Sequence, residues 1–338
     1  MKKKILLILK FVFFLSLGFF FIWWFQRKLS VTEKLEISQS FQSANYLWVV
    51  LAIIPGIFSH LSRAVRWRML LKPMGYKPKV STTFAAVMIG YFANLAFPRL
   101  GEVMRCGILH KYEKIPVSKS FGTVITERTI DMIIFFLLFL FTFILEFNNL
   151  KDYLYDNLLL KFSDKFTNIN FTGFLSFTLL SILLILAVLF LIFKPKIIKS
   201  NIYIKTMVFV LGFVEGIKSL SKIDKPYWFV FHSLFIWLNY FLMTWLIFFC
   251  FDQTATLGLN VALSALVLGS VGIMLVPGGI GIYPVIISQT LLIFSIAKTT
   301  GYALGWIAWS SQTALIIISG LISLAVLPLI KKQNHDSI

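Results

Sequence analysis

Apolar runs long enough to cross a bilayer alternate with short polar segments along this chain, and each such run predicts a membrane helix. Six are expected to span: residues 5–25, 46–61, 121–145, 174–193, 228–251 and 302–330. Lys2, Lys3 and Lys4 precede the first run in the manner of a signal sequence. Its apolar core is too long for one, and no small-residue cleavage site follows, so it reads as an uncleaved helix with a cytoplasmic N-terminus. Arg63, Arg66, Arg68, Lys72, Lys77 and Lys79 mark the cytoplasmic end of the second run, and Lys331 and Lys332 place the end of the last span inside as well.

Two runs break the pattern. Residues 84–97 are short for a span, and basic residues follow them at Arg105, Lys111, Lys114 and Lys119. A hairpin re-entering from the cytoplasm, with its tip at residues 98–102, fits both facts; a short tilted span is the alternative. Residues 261–276 and 285–297 form a second interrupted pair around Pro277-Gly278-Gly279. The expected fold is therefore an all-α polytopic integral membrane protein, a single membrane domain over residues 1–338. It combines six transmembrane helices with broken or re-entrant elements at 84–111 and 261–297. If these enter from opposite faces their tips converge near the midplane, where secondary transporters with discontinuous helices bind substrate.

Composition agrees with a membrane body, since 58% of the 338 residues are hydrophobic. Lys plus Arg number 32 against 14 acidic residues, but the excess sits in short loops and matches anionic headgroups, without the basic helix of a nucleic-acid binder. No polar stretch is long enough for a soluble core; the longest are residues 27–43, 148–172 and 194–226, the last containing an amphipathic stretch at 208–220 that suits the inner leaflet. Cys106 and Cys250 have no redox or metal spacing and read as packing residues. His60, His110, His232 and His335 are scattered, and no Walker, GxSxG or HExxH pattern occurs, so neither a cofactor, a metal, a catalytic set nor ATP-driven pumping is expected.

Charge inside the apolar body carries the candidate chemistry. Arg99, Glu102 and Arg105 share one helical face if the hairpin returns as a helix, and the surplus positive charge suits a phosphate or carboxylate headgroup. Asn94 precedes them on the same hairpin. Glu127 and Asp131 are an i,i+4 pair with Arg128 beside them, expected to form an internal charge network in which Arg128 meets Glu102, or Asp131 meets Arg99 or Arg105. Gly278, Gly279 and Gly281 lie between Pro277 and Pro284, where backbone amides at a helix start form an anion seat. Gln312 is expected to line the same cavity, whereas Arg63, Arg66 and Trp67 read as interfacial anchors. Gly301 and Gly305 form a GxxxG on the last span.

Four pieces in order resemble the lysylphosphatidylglycerol synthase transmembrane family: Arg63-Ala-Val-Arg66-Trp67 with Leu70-Leu71; Asn94-Leu-Ala-Phe-Pro98-Arg99-Leu-Gly101-Glu102 with Arg105; Glu127-Arg128-Thr-Ile-Asp131; and Pro277-Gly278-Gly279-Ile280-Gly281. The resemblance implies a flippase-like protein of the bacterial cytoplasmic (inner) membrane that moves a phospholipid or aminoacyl-phospholipid between leaflets. Its partners would be lipids with anionic or phosphate-bearing headgroups, and a homo-oligomer is compatible with it. The soluble domain that makes the aminoacyl lipid in fused relatives has no counterpart in these residues, so synthase activity is not expected. Tyr283-Pro284 stands where many relatives carry a glutamate, and no carboxylate role transfers to that position. Two other classes stay open: a membrane-embedded transferase acting on a lipid-linked or polyprenyl-phosphate substrate, with Glu127 and Asp131 as acid or metal ligands, and a non-transporting partner in envelope assembly.

Overall fold

The computed structural model describes residues 16, 18–97, 99–147 and 223–333, and every regular element among them is helical. Residues 18–27 form α1, followed by α2 (Val31–Ser43), α3 (Tyr46–Leu71), α4 (Val80–Ala96), α5 (Leu100–Glu113) and α6 (Val117–Leu145). The second set is α7 (Pro226–Phe248), α8 (Leu259–Leu275), α9 (Ile282–Ile293) and α10 (Lys298–Gln333). The expected span 174–193, the loop at 148–172, the amphipathic stretch 208–220, Pro98, His335 and the first part of span 5–25 lie outside the described residues.

Four described helices are long and apolar enough to cross a bilayer: Tyr46–Met74, Val117–Leu145, Pro226–Phe248 and Lys298–Leu329. They correspond to four of the six expected spans. With α4, α8 and α9 as shorter apolar helices between them, the chain is a multi-pass membrane protein. The polar segment at 27–43 carries α2. Ser30 caps it through the Glu33 N–H (3.2 Å), and the Glu33 carboxylate accepts in return from the Ser30 N–H (2.7 Å). That capping box has a Ser-x-x-Glu signature, which is the signal for this helix in the sequence.

Helices α4 and α5 fold back on each other as an antiparallel hairpin. At its open end the Lys79 N–H donates to Glu113 Oε1 (3.2 Å), and near the tip the backbones of Gly90 and Gly101 meet so closely that a Cβ on Gly101 would lie 2.0 Å from the Gly90 carbonyl oxygen. Asn94 secures the turn by accepting from the Gly101 N–H (2.7 Å). The turn is tighter than the expected tip at 98–102. Arg99 takes a left-handed conformation (φ 64°, ψ 5°) that reverses the chain in one residue, so Gly101 and Glu102 already belong to the first turn of α5. At 17 residues α4 extends about 25 Å, shorter than the ~30 Å hydrocarbon core.

Helices α8 and α9 form a second hairpin, with Tyr283 and Ile286 packed against Gly269 and Gly272. Its tip contains positive φ at Gly278, Gly279 and Gly281, which only glycine adopts without strain. This tip meets the first one: the Leu95 side chain of α4 lies against Gly278. Helix α10 packs along α9 through Gly301 on Ser288 and Gly305 on Pro284, the close approach expected of its GxxxG. Trp309 of α10 donates its indole N–H to the Gly278 carbonyl (2.6 Å), fixing the second tip. Trp309→Phe is expected to lower stability by about 1 kcal/mol, the net worth of one such bond, read as a fall in Tm in detergent.

Among the described residues, the two largest apolar clusters lie around the hairpins. One gathers residues of α3, α7, α8, α9 and α10, including Cys250, Phe248 and Leu304; the other gathers Trp67, Val87, Leu109 and Val124 with Cys106. Both cysteines are buried and free.

Candidate functional site

Three helices bring their charged faces together between the hairpin and the long spans. On α3, Arg63 and Arg66 are spaced i,i+3; on α6, Glu127 and Asp131 are spaced i,i+4; on α5, Glu102 and Arg105 are again i,i+3, so each pair projects to one side of its helix. Glu127 lies about 15 Å along α6 from Val117 at 1.5 Å per residue, well inside the apolar segment.

Glu127 is the hub. Its Oε1 accepts from Arg63 Nη1 (2.8 Å), and its two oxygens accept from Arg105 Nη1 and Nη2 (3.4 and 2.8 Å) in a bidentate grip. Asp131 accepts from Arg66 Nη2 (2.7 Å) and from Arg63 Nη1. Arg66 and Glu127 are fully buried, and Arg63 and Arg105 nearly so. Two further donors reach neutral partners, Arg66 Nη1 the Ser233 Oγ (3.1 Å) and Arg63 Nη2 the Tyr240 hydroxyl (3.3 Å), both on α7, while the Nε groups of Arg63, Arg66 and Arg105 have no hydrogen-bond partner among the described residues. The Arg105 guanidinium carbon also lies over the Trp67 ring, 3.9 Å from its centre, and the Trp67 indole N–H donates to Thr123 Oγ1 (2.9 Å).

A second pair opens toward the surface. Arg128 Nη2 lies 3.3 Å from Glu102 Oε1, and their side chains are 37% and 20% exposed. Tyr91 of α4 sits between Arg128 and Arg63, each guanidinium within 6 Å of its ring, and His60 packs beside it at 5.1 Å. Among the described residues, neither Arg128 Nε nor Glu102 Oε2 has a hydrogen-bond partner. Among the described residues, Arg63, Arg66, Arg105 and Arg128 face Glu102, Glu127 and Asp131, leaving one positive charge in excess.

The structure therefore gathers Glu102, Glu127, Arg128 and Asp131 as the sequence suggested, with Arg128 meeting Glu102. Asp131, however, pairs with Arg63 and Arg66 rather than with Arg99 or Arg105. The interfacial reading of Arg63, Arg66 and Trp67 is corrected: all three are buried, because two acidic groups on α6 and the guanidinium of Arg105 cover them. Arg105, expected to hold substrate, is occupied by Glu127. Arg99 stands exposed at the hairpin tip, apart from the cluster. Gly279 spends its N–H on the Val276 carbonyl (2.7 Å) and Ile282 on that of Ile280 (2.8 Å), so these amides serve the turn itself. Gly281 packs on the backbone of Gly18, Gly278 is held by Trp309, and Gln312 lies half-buried on α10.

Beyond the membrane body, Lys72 at the end of α3 pairs with Asp224 (2.8 Å). The bond to this ammonium holds the Asp224 carboxyl below its ordinary range.

The chain is 31% identical over 143 residues to the UPF0104 membrane protein MJ1595 of Methanocaldococcus jannaschii, covering 41% of this chain and 39% of that protein. It is 27% identical over 99 residues to the glycosyltransferase AglD of Haloferax volcanii, covering 29% of this chain and 16% of that enzyme. The matches thus span well under half the length of either relative, and no solved structure matches the chain. The family model for the lysylphosphatidylglycerol synthase TM region covers residues 7–324, and the chain belongs to that family.

Proposed function

We propose that the protein is a lipid translocase of the flippase type, moving a phospholipid or aminoacyl-phospholipid between the leaflets of a bacterial cytoplasmic membrane. The observation that carries this reading is the single surplus guanidinium in a cluster sunk among apolar helices. A charge at that depth is costly unless something neutralises it, and a phosphate-bearing headgroup does so. Arg63, Arg66 and Arg105 are sealed in by Glu127 and Asp131; Arg128 is the partly open member, its side chain 37% exposed beside Glu102, and a guanidinium so placed can grip a phosphate oxygen. Asn94 and Glu102 frame it, and Tyr91 gives it an aromatic wall. Arg99, at the tip of the short hairpin, offers a second cation where a headgroup would approach.

Arg128→Ala and Arg99→Ala are expected to insert and fold like the parent protein, since both positions are at least partly open, yet to lose lipid movement. A fluorescent-phospholipid scrambling assay in liposomes reads this directly. Parental rates from Arg128→Ala overturn the headgroup assignment.

The partial match to a protein named glycosyltransferase favours, as a second reading, transfer chemistry on a lipid-linked substrate. Against it, Glu127 and Asp131, the carboxylates such chemistry would employ as acid or metal ligands, are each held by two guanidiniums at hydrogen-bond distance. Product formation from a polyprenyl-phosphate sugar by the purified protein decides between the two.

A further inference from the structure

The helices after α2 repeat a pattern. A long helix, a short one, a tight turn, a second short one and a long helix run through α3 to α6 with 26, 17, 14 and 29 residues; α7 to α10 follow with 23, 17, 12 and 36. Both turns reverse the chain through positive φ, at Arg99 in one and at Gly278, Gly279 and Gly281 in the other.

Packing between the halves obeys the same exchange. Swapping α3 with α7, α4 with α8, α5 with α9 and α6 with α10 turns the α4–α10 seam into the α8–α6 seam, and both exist. In the first, Leu327 packs with Ala85 and Ile89, and Gly320 packs on Phe92. In the second, Asn260 donates to Glu146 Oε1 (2.7 Å). The α3–α7 contact maps onto itself. There Gly56 meets Met243 while Ser62 meets His232 (2.8 Å) and Arg66 meets Ser233, so the two counterparts run antiparallel. A twofold axis relating antiparallel neighbours must lie across them, which for spanning helices means in the membrane plane. Charge agrees: the first hairpin opens beside Lys77, Lys79, Lys111 and Lys114, and the second beside Gly258 and Ser295 with the single cation Lys298 after it.

We infer that residues 46–145 and 226–333 are inverted repeats about an axis in the membrane plane, and that the halves exchange conformations so that the α4–α10 and α6–α8 seams open in turn. The exchange rests on the translocase reading; the symmetry does not. The two seams are unequal as they stand, α4 lying along more of α10 than α8 does of α6, which is how one of two such states looks. The repeat also gives Gln312 a place: it occupies in α10 the register position that Asp131 holds in α6, so the charge cluster belongs to one half and faces an uncharged counterpart in the other.

Two measurements test this in protein lacking Cys106 and Cys250. Single cysteines at Lys77→Cys and Asp252→Cys, probed with an impermeant maleimide, are expected to label from opposite faces. Labelling of both from one face overturns the inverted repeat, whatever the protein transports. The pairs Phe92→Cys/Gly320→Cys and Phe139→Cys/Val271→Cys occupy counterpart positions in the two seams. Both are expected to cross-link on oxidation, and each lock to cut lipid movement roughly tenfold or more until reduced, because it removes one of two required states. A second pair that never cross-links, or locks that leave transport unchanged, overturn the exchange. Cross-linking is read on gels, so it judges the exchange even if the parent protein moves no lipid, a result that would sink the translocase reading alone.

Discussion

Glu127→Gln is expected to destabilise the protein by about 3–5 kcal/mol, the usual penalty for removing one partner of a buried ion pair. The reason is that Arg63, Arg66 and Arg105 share two carboxylates, and neutralising one leaves three buried guanidiniums facing Asp131 alone. Desolvated charge without compensation outweighs the hydrogen bonds an amide can still accept. The measurement is thermal unfolding in detergent, with Glu127→Gln/Arg105→Gln as companion. Removing the bidentate cation together with its acceptor restores the balance, so the double variant should recover part of the loss. A double variant worse than the single would mean that Arg105 is held chiefly by Trp67 rather than by Glu127.

Gly101→Val is expected to cost about 3 kcal/mol or more, the upper range for forcing atoms into a packed contact, and to pull the first hairpin apart. Here the obstacle is backbone: even a Cβ would come within 2.0 Å of the Gly90 carbonyl oxygen and 2.8 Å of the Asn94 side chain. Neither α4 nor α5 can yield without breaking the Asn94–Gly101 bond that sets the turn. Gly107, on the same helix, supplies the control, since a Cβ there would meet nothing within 4 Å. Gly107→Ala should be neutral or slightly stabilising, because alanine gains up to about 1 kcal/mol over glycine in a helix. Both are read as changes in Tm and in protease resistance.

The sequence disclosed the parts of this site whose charges lie in the middle of an apolar run. Glu127, Arg128 and Asp131 have no business in a membrane helix unless paired, and Glu102 with Arg128 follows from that logic. Arg63 and Arg66 were hidden by their neighbours. They stand at the end of an apolar run followed by Arg68, Lys72 and Lys77, and a basic cluster there is what cytoplasmic anchoring produces anyway. Ser59, His60 and Ser62, buried polar residues on the same helix, hinted that this face turns inward, but such scattered polar residues are too weak a signal. The hairpin at 84–111 was legible because length is counted directly. Its one-residue reversal at Arg99 was not, because a non-glycine residue at positive φ is fixed by tertiary contacts such as the Asn94 bond rather than by propensity.

Glu127 binds guanidiniums from both α3 and α5 while belonging to α6. Tilting any of these helices independently would strip a counterion from an acid with no water to replace it. The three therefore hold one another, and the compliance that a working cycle demands falls to the glycine-rich turn and to the α4–α10 and α6–α8 seams between the halves.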